Sequence, residues 1–376
     1  MKRELAELVA IRSENPPGRE YEVALYLREA LAPAGFEIAF DEFRPGRVNI
    51  EARLVNGPGP VFAFNTHMDV VPAGEGWSSD PFVLRESEGR LYGRGACDCK
   101  GPLAAMLEAA RLLAADRASW SGTLLAVFVA DEEIASEGAK LYAARRPKID
   151  FAIVGEPTSN TVYSAHKGSL RPLVRVHGVP AHSGSPHLGE NAIYRAGELL
   201  ALVAETHEND VRHRTHPLVG AASLTVTRIH GGHADNVLPG ACEMLLDRRL
   251  VPGEDEEAVK ADIAAMLRRA HERTGLRAEI VDWKPTTGGA TETAPDRPIV
   301  AASLAACRAR GIAEPGPFGF QGACDLVHFR AAGAEGVVIG PGSLAVAHKA
   351  DEFVPVNEFA AASLIYRDIA RTMLAG

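Results

Sequence analysis

The sequence predicts an α/β chain interrupted by a smaller α+β domain. Short apolar runs alternate with helical periodicities over residues 1–158. From residue 160 the order changes to strands in pairs, separated by single long helices. The alternating texture returns from residue 297.

The elements follow in order. Leu5, Leu8 and Val9, then Leu25, Leu27 and Leu31, stand at roughly helical spacing and predict helices over 2–14 and 19–34. Pro16-Pro17-Gly18 breaks between them. Apolar or alternating runs predict strands at 36–43, 48–55 and 61–66. A helix at 101–115, a buried strand at 123–130, a helix at 136–146 and a short strand at 151–154 continue the pattern. Residues 160–178 then read as two strands, 189–205 as a helix, 221–230 and 238–250 as longer strands, 255–274 as a helix and 277–283 as a last strand. This order fits a small sandwich with a split β-α-β plan. Thr286-Thr287-Gly288-Gly289 is a linker, and 297–310, 336–340 and 357–374 give helix, strand and helix. The larger domain is therefore discontinuous, 1–166 with 285–376, and 167–284 is the insert.

Bulk properties limit the function. A chain of 376 residues suits two domains, and 46% hydrophobic with 24% charged residues is ordinary globular composition. The net charge is −9, from 40 basic and 49 acidic residues, and no dense Lys/Arg run occurs. Nucleic acid is excluded as a partner, since its phosphates need a basic footprint. Five cysteines, an odd number without a disulfide framework, predict a reducing compartment. Met1-Lys2-Arg3-Glu4-Leu5 leads into an amphipathic pattern with no apolar signal core. No apolar run approaches the ~20 residues of a membrane helix. The expectation is a cytoplasmic protein with no membrane partner.

Five segments carry chemistry. The strand Val61-Phe62-Ala63-Phe64 runs into Asn65-Thr66-His67-Met68-Asp69. Imidazole is a common metal ligand, and an acid two residues on suits its second ring nitrogen. Gly93-Arg94-Gly95-Ala96-Cys97-Asp98-Cys99-Lys100-Gly101 places Asp98 just before a helix, where its carboxylate suits bridging two cations. The Cys-x-Cys pair has no partner pair at zinc-finger spacing, so it reads as packing, with oxidation sensitivity as the alternative. Val127-Phe128-Val129-Ala130 ends in Asp131-Glu132-Glu133, where one acid can ligate while its neighbour handles a proton. Ile153-Val154-Gly155-Glu156 and Val338-Ile339-Gly340, leading to Ala347-His348-Lys349, repeat the plan. Each segment alone has an ordinary reading as a cap or an acidic turn. Together, five strand-end loops deliver two histidines and several carboxylates, a donor set for zinc or a similar divalent ion. With two ions, such a set activates water and polarises a carbonyl. No Gly-x-Ser-x-Gly elbow supports a serine hydrolase.

These motifs, in this order and across essentially the whole chain, resemble the metallopeptidase family of acetylornithine deacetylases, succinyl-diaminopimelate desuccinylases, carboxypeptidase G and aminoacylases. The resemblance implies a zinc-peptidase-like catalytic domain with a mixed sheet, and an inserted lid or dimerisation domain. It implies one ion on His67, Asp98 and Glu156, and another on Asp98, Glu133 and His348. Zinc is the expected metal, with cobalt or manganese as substitutes. Glu132 is implied as the general base and Asp69 as the residue orienting His67. In the insert, Ala181-His182-Ser183-Gly184 resembles the segment whose histidine stabilises the tetrahedral intermediate. Asn236 and Arg249 match substrate contacts, and Lys167 stands where desuccinylases carry an arginine. Gln321-Gly322-Ala323-Cys324-Asp325 also departs from the desuccinylase run Gly-Gly-Thr-Ser-Asp. The implied activity is removal of an acyl group from an N-acyl amino acid, acetylornithine being the leading substrate, by a homodimer formed through the insert. A carboxypeptidase or dipeptidase is the second reading, and a non-catalytic small-molecule binder the third.

Overall fold

The computed structural model describes residues 1–375, which form two compact units. The larger holds Met1–Ala165, Glu292–Gly319 and the chain from Cys324 onward. The smaller holds His166–Thr291 and Phe320–Ala323. It therefore runs past residue 284 to Thr291 and takes in a short later segment that no change of composition announces.

The larger unit is built on a nine-stranded mixed sheet. From one edge its order is Glu37–Arg44, Arg47–Asn56, Gly122–Val129, Val61–His67, Phe151–Val154 and Glu335–Val338, followed by short edge strands. The first two strands and their neighbour pair antiparallel. Val61–His67 runs parallel to Gly122–Val129 on one side and to Phe151–Val154 on the other, and Glu335–Val338 extends the parallel run. Val61–His67 and Gly122–Val129 are buried along their whole length. That explains the unbroken apolar run Leu124-Leu125-Ala126-Val127-Phe128-Val129, since a strand covered on both faces does not alternate. Helices Lys100–Ala115 and Val356–Leu374 pack on each other and bury Leu103, Leu107, Phe359, Ile365 and Ile369 in one core with Phe62 and Phe64.

The first helix stops at Ala10 rather than 14. Tertiary bonds take the residues beyond it. Ser13 Oγ donates to the Met68 carbonyl at 2.7 Å, and Asn15 N donates to the Val70 carbonyl at 2.8 Å. Three short strands, Arg85–Ser87, Arg90–Tyr92 and Phe353–Pro355, form a separate sheet, and Leu326–Ala331 is a further short helix. Of these, only a strand ending just before Gly93 was expected; the other three are too short for a periodic signal.

The smaller unit is a four-stranded antiparallel sheet in the order Ser223–Gly231, Ala241–Leu250, Gly168–His177, Ala278–Lys284. Helices Ala192–Asn209 and Glu256–Thr274 complete a β-α-β-β-α-β chain order. Tyr163–His166, expected as its first strand, pairs in the large sheet instead. Local chemistry sets the helix ends. Asp255 accepts from Ala258 N at 2.8 Å, and Gly275 closes the same helix at φ 69°. Among the described residues no helix is long and apolar enough to cross a membrane.

Candidate metal centre

The four parallel strands of the larger unit end on the same side of the sheet, as their register requires. Ligands of open α/β sheets collect at such carboxyl ends. His67 is the last residue of its strand, Asp131-Glu132-Glu133 follow Val129, Glu156 follows Val154, and His348 lies in the loop after Val338. Asp98 comes from the turn that starts helix Lys100–Ala115.

Asp98 joins two donor sets. Its Oδ1 lies 3.1 Å from His67 Nε2, and its Oδ2 lies 3.2 Å from His348 Nε2. His348 Nε2 is also 2.9 Å from Glu133 Oε2. His67, Asp98, Cys99 and Glu156 offer donor atoms within 4.8 Å of one another, as do Asp98, Glu133 and His348. Glu156 Oε1 is buried without a hydrogen-bond partner. A buried carboxylate oxygen left bare is costly unless a cation meets it. The residues present therefore fit two divalent ions, each with mixed nitrogen and oxygen donors.

The electrostatics point the same way. Burial, and then the charge of Asp98, push Glu156 up to about 8. Burial and the charge of Glu156 drive Glu132 well above the usual carboxylate range, and burial and Asp98 raise Glu133. Burial opposes ionisation of Asp98, but hydrogen bonds from His348 and His67 hold its carboxyl well below the usual range. Hydrogen bonds to Asp98 and Glu133 push His348 up to about 10. This crowd of carboxylates favours either protons or cations, and a bound ion draws each acid back to its charged form.

The surroundings set the aim of these side chains. His67 Nδ1 lies 2.9 Å from the Asp69 main-chain carbonyl, while the Asp69 carboxylate is farther away at 3.6 Å. Both the backbone and the carboxylate of Asp69 therefore face the same ring nitrogen. The carboxylate also binds the acidic loop: Oδ1 accepts from Glu132 N and Oδ2 from Glu133 N, both at 3.2 Å. Asn15 Nδ2 donates to Asp69 Oδ2 at 2.8 Å and to Asp131 Oδ1 at 3.0 Å. Arg47 grips Asp131 at 2.8 Å and Glu20 through Nε. Gly18 is required beside it, because a Cβ there would lie 2.3 Å from Arg47 Cζ and φ is +81°. Glu352 Oε1 accepts from the Cys97 and Asp98 amides at 2.9 Å each and pairs with buried Arg94. Asp131 and His348 sit at φ 74° and 62°, strained values for non-glycine residues.

Sequence reasoning had given no role to Asn15, Glu20, Arg47, Asp131 or Glu352. Only Asp131 and Glu352 carried a signal, as acids beside an expected ligand. The structure brings His67, Asp69, Asp98, Glu132, Glu133, Glu156 and His348 into one centre. The remaining candidates lie in the smaller unit. There His182 and Asn236 are exposed neighbours: His182 bridges to Val237, and Ser183 N donates to the Asn236 carbonyl at 2.9 Å. Arg249 pairs with Asp247 at 2.7 Å, whereas Arg248 is buried against Glu254. Lys167 Nζ donates to the Ala221 carbonyl at 2.8 Å and, through burial and then the charge of Arg249, is lowered from the usual lysine value.

Known proteins match this chain throughout. The model of peptidase family M20/M25/M40 matches residues 63–372. A succinyl-diaminopimelate desuccinylase of Thioalkalivibrio sulfidiphilus is 33% identical over 382 residues, covering 98% of this chain and 97% of its own. An acetylornithine deacetylase of Vibrio vulnificus is 31% identical over 335 residues, covering 87% and 85%. Among solved structures, the M20 family metallo-carboxypeptidase Sso-CP2 of Sulfolobus solfataricus shares the fold, with a TM-score of 0.83, 19% identity and 98% of both chains covered.

Proposed function

The chain belongs to peptidase family M20/M25/M40 and is a hydrolase of amide bonds, and from that premise we propose that it deacylates an N-acyl amino acid at a dinuclear centre. The observation that carries the dinuclear reading is Asp98, with one oxygen toward His67 and the other toward His348. In this reading His67, Asp98 and Glu156 hold one ion, Asp98, Glu133 and His348 hold the other, and zinc is the metal. Divalent ions there supply Lewis acidity, polarising the scissile carbonyl and making water nucleophilic at neutral pH.

The chain's own residues do the rest. Glu132 takes a proton from the attacking water and returns it to the leaving amine nitrogen. Its backbone amide donates to Asp69 Oδ1 at 3.2 Å, a bond that ties down the loop carrying it. Glu133, next in sequence, meets His348 and serves as a ligand. We assign His182 to the developing oxyanion, and Asn236, Arg249 and Lys167 to the substrate. Arg249 suits a carboxylate, because a guanidinium donates through a planar fork. Exposed Leu188, Ile193, Tyr194 and Ile229 of the smaller unit support a homodimer formed through it. The five cysteines are all free, which supports a reducing, cytoplasmic location.

The acyl group is the open specificity, since one relative is named for succinyl and the other for acetyl removal. Lys167 in place of the arginine expected of desuccinylases favours the acetyl group. The test is turnover of N-acetyl and N-succinyl amino acids against dipeptides and C-terminal peptides, with zinc, cobalt and manganese in parallel. Preference for N-acetyl amino acids is expected. Faster cleavage of dipeptides would replace the deacylase reading by a dipeptidase. Unaltered turnover by a metal-stripped Glu132→Ala protein would overturn the mechanism.

A further inference from the structure

We propose that Cys99 is a fourth protein ligand, a thiolate, to the ion held by His67, Asp98 and Glu156. The proposal rests on the reading of those three residues as a metal site. Cys99 Sγ lies 2.9 Å from Asp98 Oδ1 and 3.4 Å from Glu156 Oε2, and the residue is fully buried. With metal–ligand bonds of about 2.0–2.3 Å, tetrahedral zinc spaces its donors about 3.3–3.8 Å apart. The 3.4 Å thiol contact falls within that spacing, the 2.9 Å contact and the 3.1 Å gap between His67 and Asp98 are shorter than it, and all four donor atoms lie within 4.8 Å of one another. The set is thus already drawn up at the scale of a coordination tetrahedron.

The plainer reading is a small packing residue whose thiol donates to two acids. A cation at this site draws on the same two carboxylates, those of Asp98 and Glu156, and the bare Glu156 Oε1 is open to it. The thiol then gives up these hydrogen bonds, and its sulfur becomes a further donor within 4.8 Å of the other three. Cys97 shows the contrast. Its Sγ donates to the Ser343 carbonyl at 3.5 Å, so it is a packing residue on the other side of Asp98. On coordination a sulfur–metal bond forms, the thiol proton leaves to solvent, and nothing is oxidised. A thiolate also shifts the preference of this site toward zinc, cobalt and cadmium and away from magnesium and manganese.

Cobalt substitution tests the proposal without relying on turnover. Metal-free protein loaded with Co2+ is expected to show visible d–d absorption together with a near-ultraviolet thiolate-to-cobalt charge-transfer band. Cys99→Ser should keep the visible bands and lose the near-ultraviolet band, while Cys97→Ser keeps both. Visible absorption without the band in the unmodified protein, or a band that survives in Cys99→Ser, overturns the assignment. Absence of any cobalt absorption refutes the metal site itself. Should Cys99→Ser not fold, cadmium NMR of the unmodified protein decides. A resonance in the thiolate-shifted region supports Cys99, and only oxygen- and nitrogen-type shifts reject it.

Discussion

Arg47→Met offers a direct reading of the buried charge network behind the acidic loop. Arg47 bonds both oxygens of Glu20, at 3.1 and 2.8 Å, and one oxygen of Asp131 at 2.8 Å. Glu20 is fully buried, and burial with the charge of Asp69 already pushes it up to about 7 against the pull of Arg47. A carboxyl raised in the folded state binds its proton more tightly folded than unfolded. It therefore costs no stability below the unfolded value of 4.5, and a growing amount as pH rises to about 7. At about 1.4 kcal/mol per pH unit, that cost is roughly 3 kcal/mol above pH 7. Removing Arg47 takes away its hydrogen bond and its attraction, so Glu20 moves higher still. At pH 6 Glu20 is mostly protonated in both proteins, and the variant loses chiefly the Asp131 contact, about 1.5–3 kcal/mol for a charged hydrogen bond. At pH 9 it loses a further 1–3 kcal/mol or so, the energy of the Glu20 pair. Urea unfolding of both proteins at pH 6 and pH 9, with chelator present so that ion binding contributes to neither, measures the difference. A destabilisation equal at the two pH values would refute the reasoning.

Three other outcomes are expected. Glu132→Gln lowers kcat by about 10²–10⁴ while metal content by elemental analysis stays that of the parent; loss of metal would make Glu132 a ligand instead. His166 is buried and held down to about 4 by burial, so folded protein resists its protonation. Its contribution to stability is intact above the unfolded value of 6.5 and falls by roughly 3 kcal/mol as pH drops to 4, and His166→Gln should flatten that part of the urea-stability profile. Adding zinc to stripped protein at about 1,000 times its dissociation constant should stabilise the fold by about 4 kcal/mol, read as a rise in Tm that Asp98→Asn abolishes.

What the sequence determined by itself was the order of elements and the chemistry at their ends. Both are local. The run Val61-Phe62-Ala63-Phe64 fits a strand, which the fold buries on both faces, and the polar residue that ends it falls at the strand's end. The same logic located His67, Glu132, Glu133 and Glu156, and a glycine-rich turn before a helix located Asp98. Tertiary structure decided which way these side chains face. Glu132 and Glu133 are identical and adjacent, and in the sequence only the family resemblance tells them apart; in the fold the two oxygens of Asp69 clamp their amides, and Glu133 is the one that meets His348. The early end of the first helix was likewise invisible, because the backbones of Ser13 and Asn15 bond Val70 instead of a helical turn. Cys99 reads as packing in the sequence, and only the fold sets its sulfur beside the carboxylates of Asp98 and Glu156. Periodicity reports which faces are buried, since burial acts on each residue in turn. The aim of a loop side chain is set by hydrogen bonds from distant segments, and those exist only once the chain has folded.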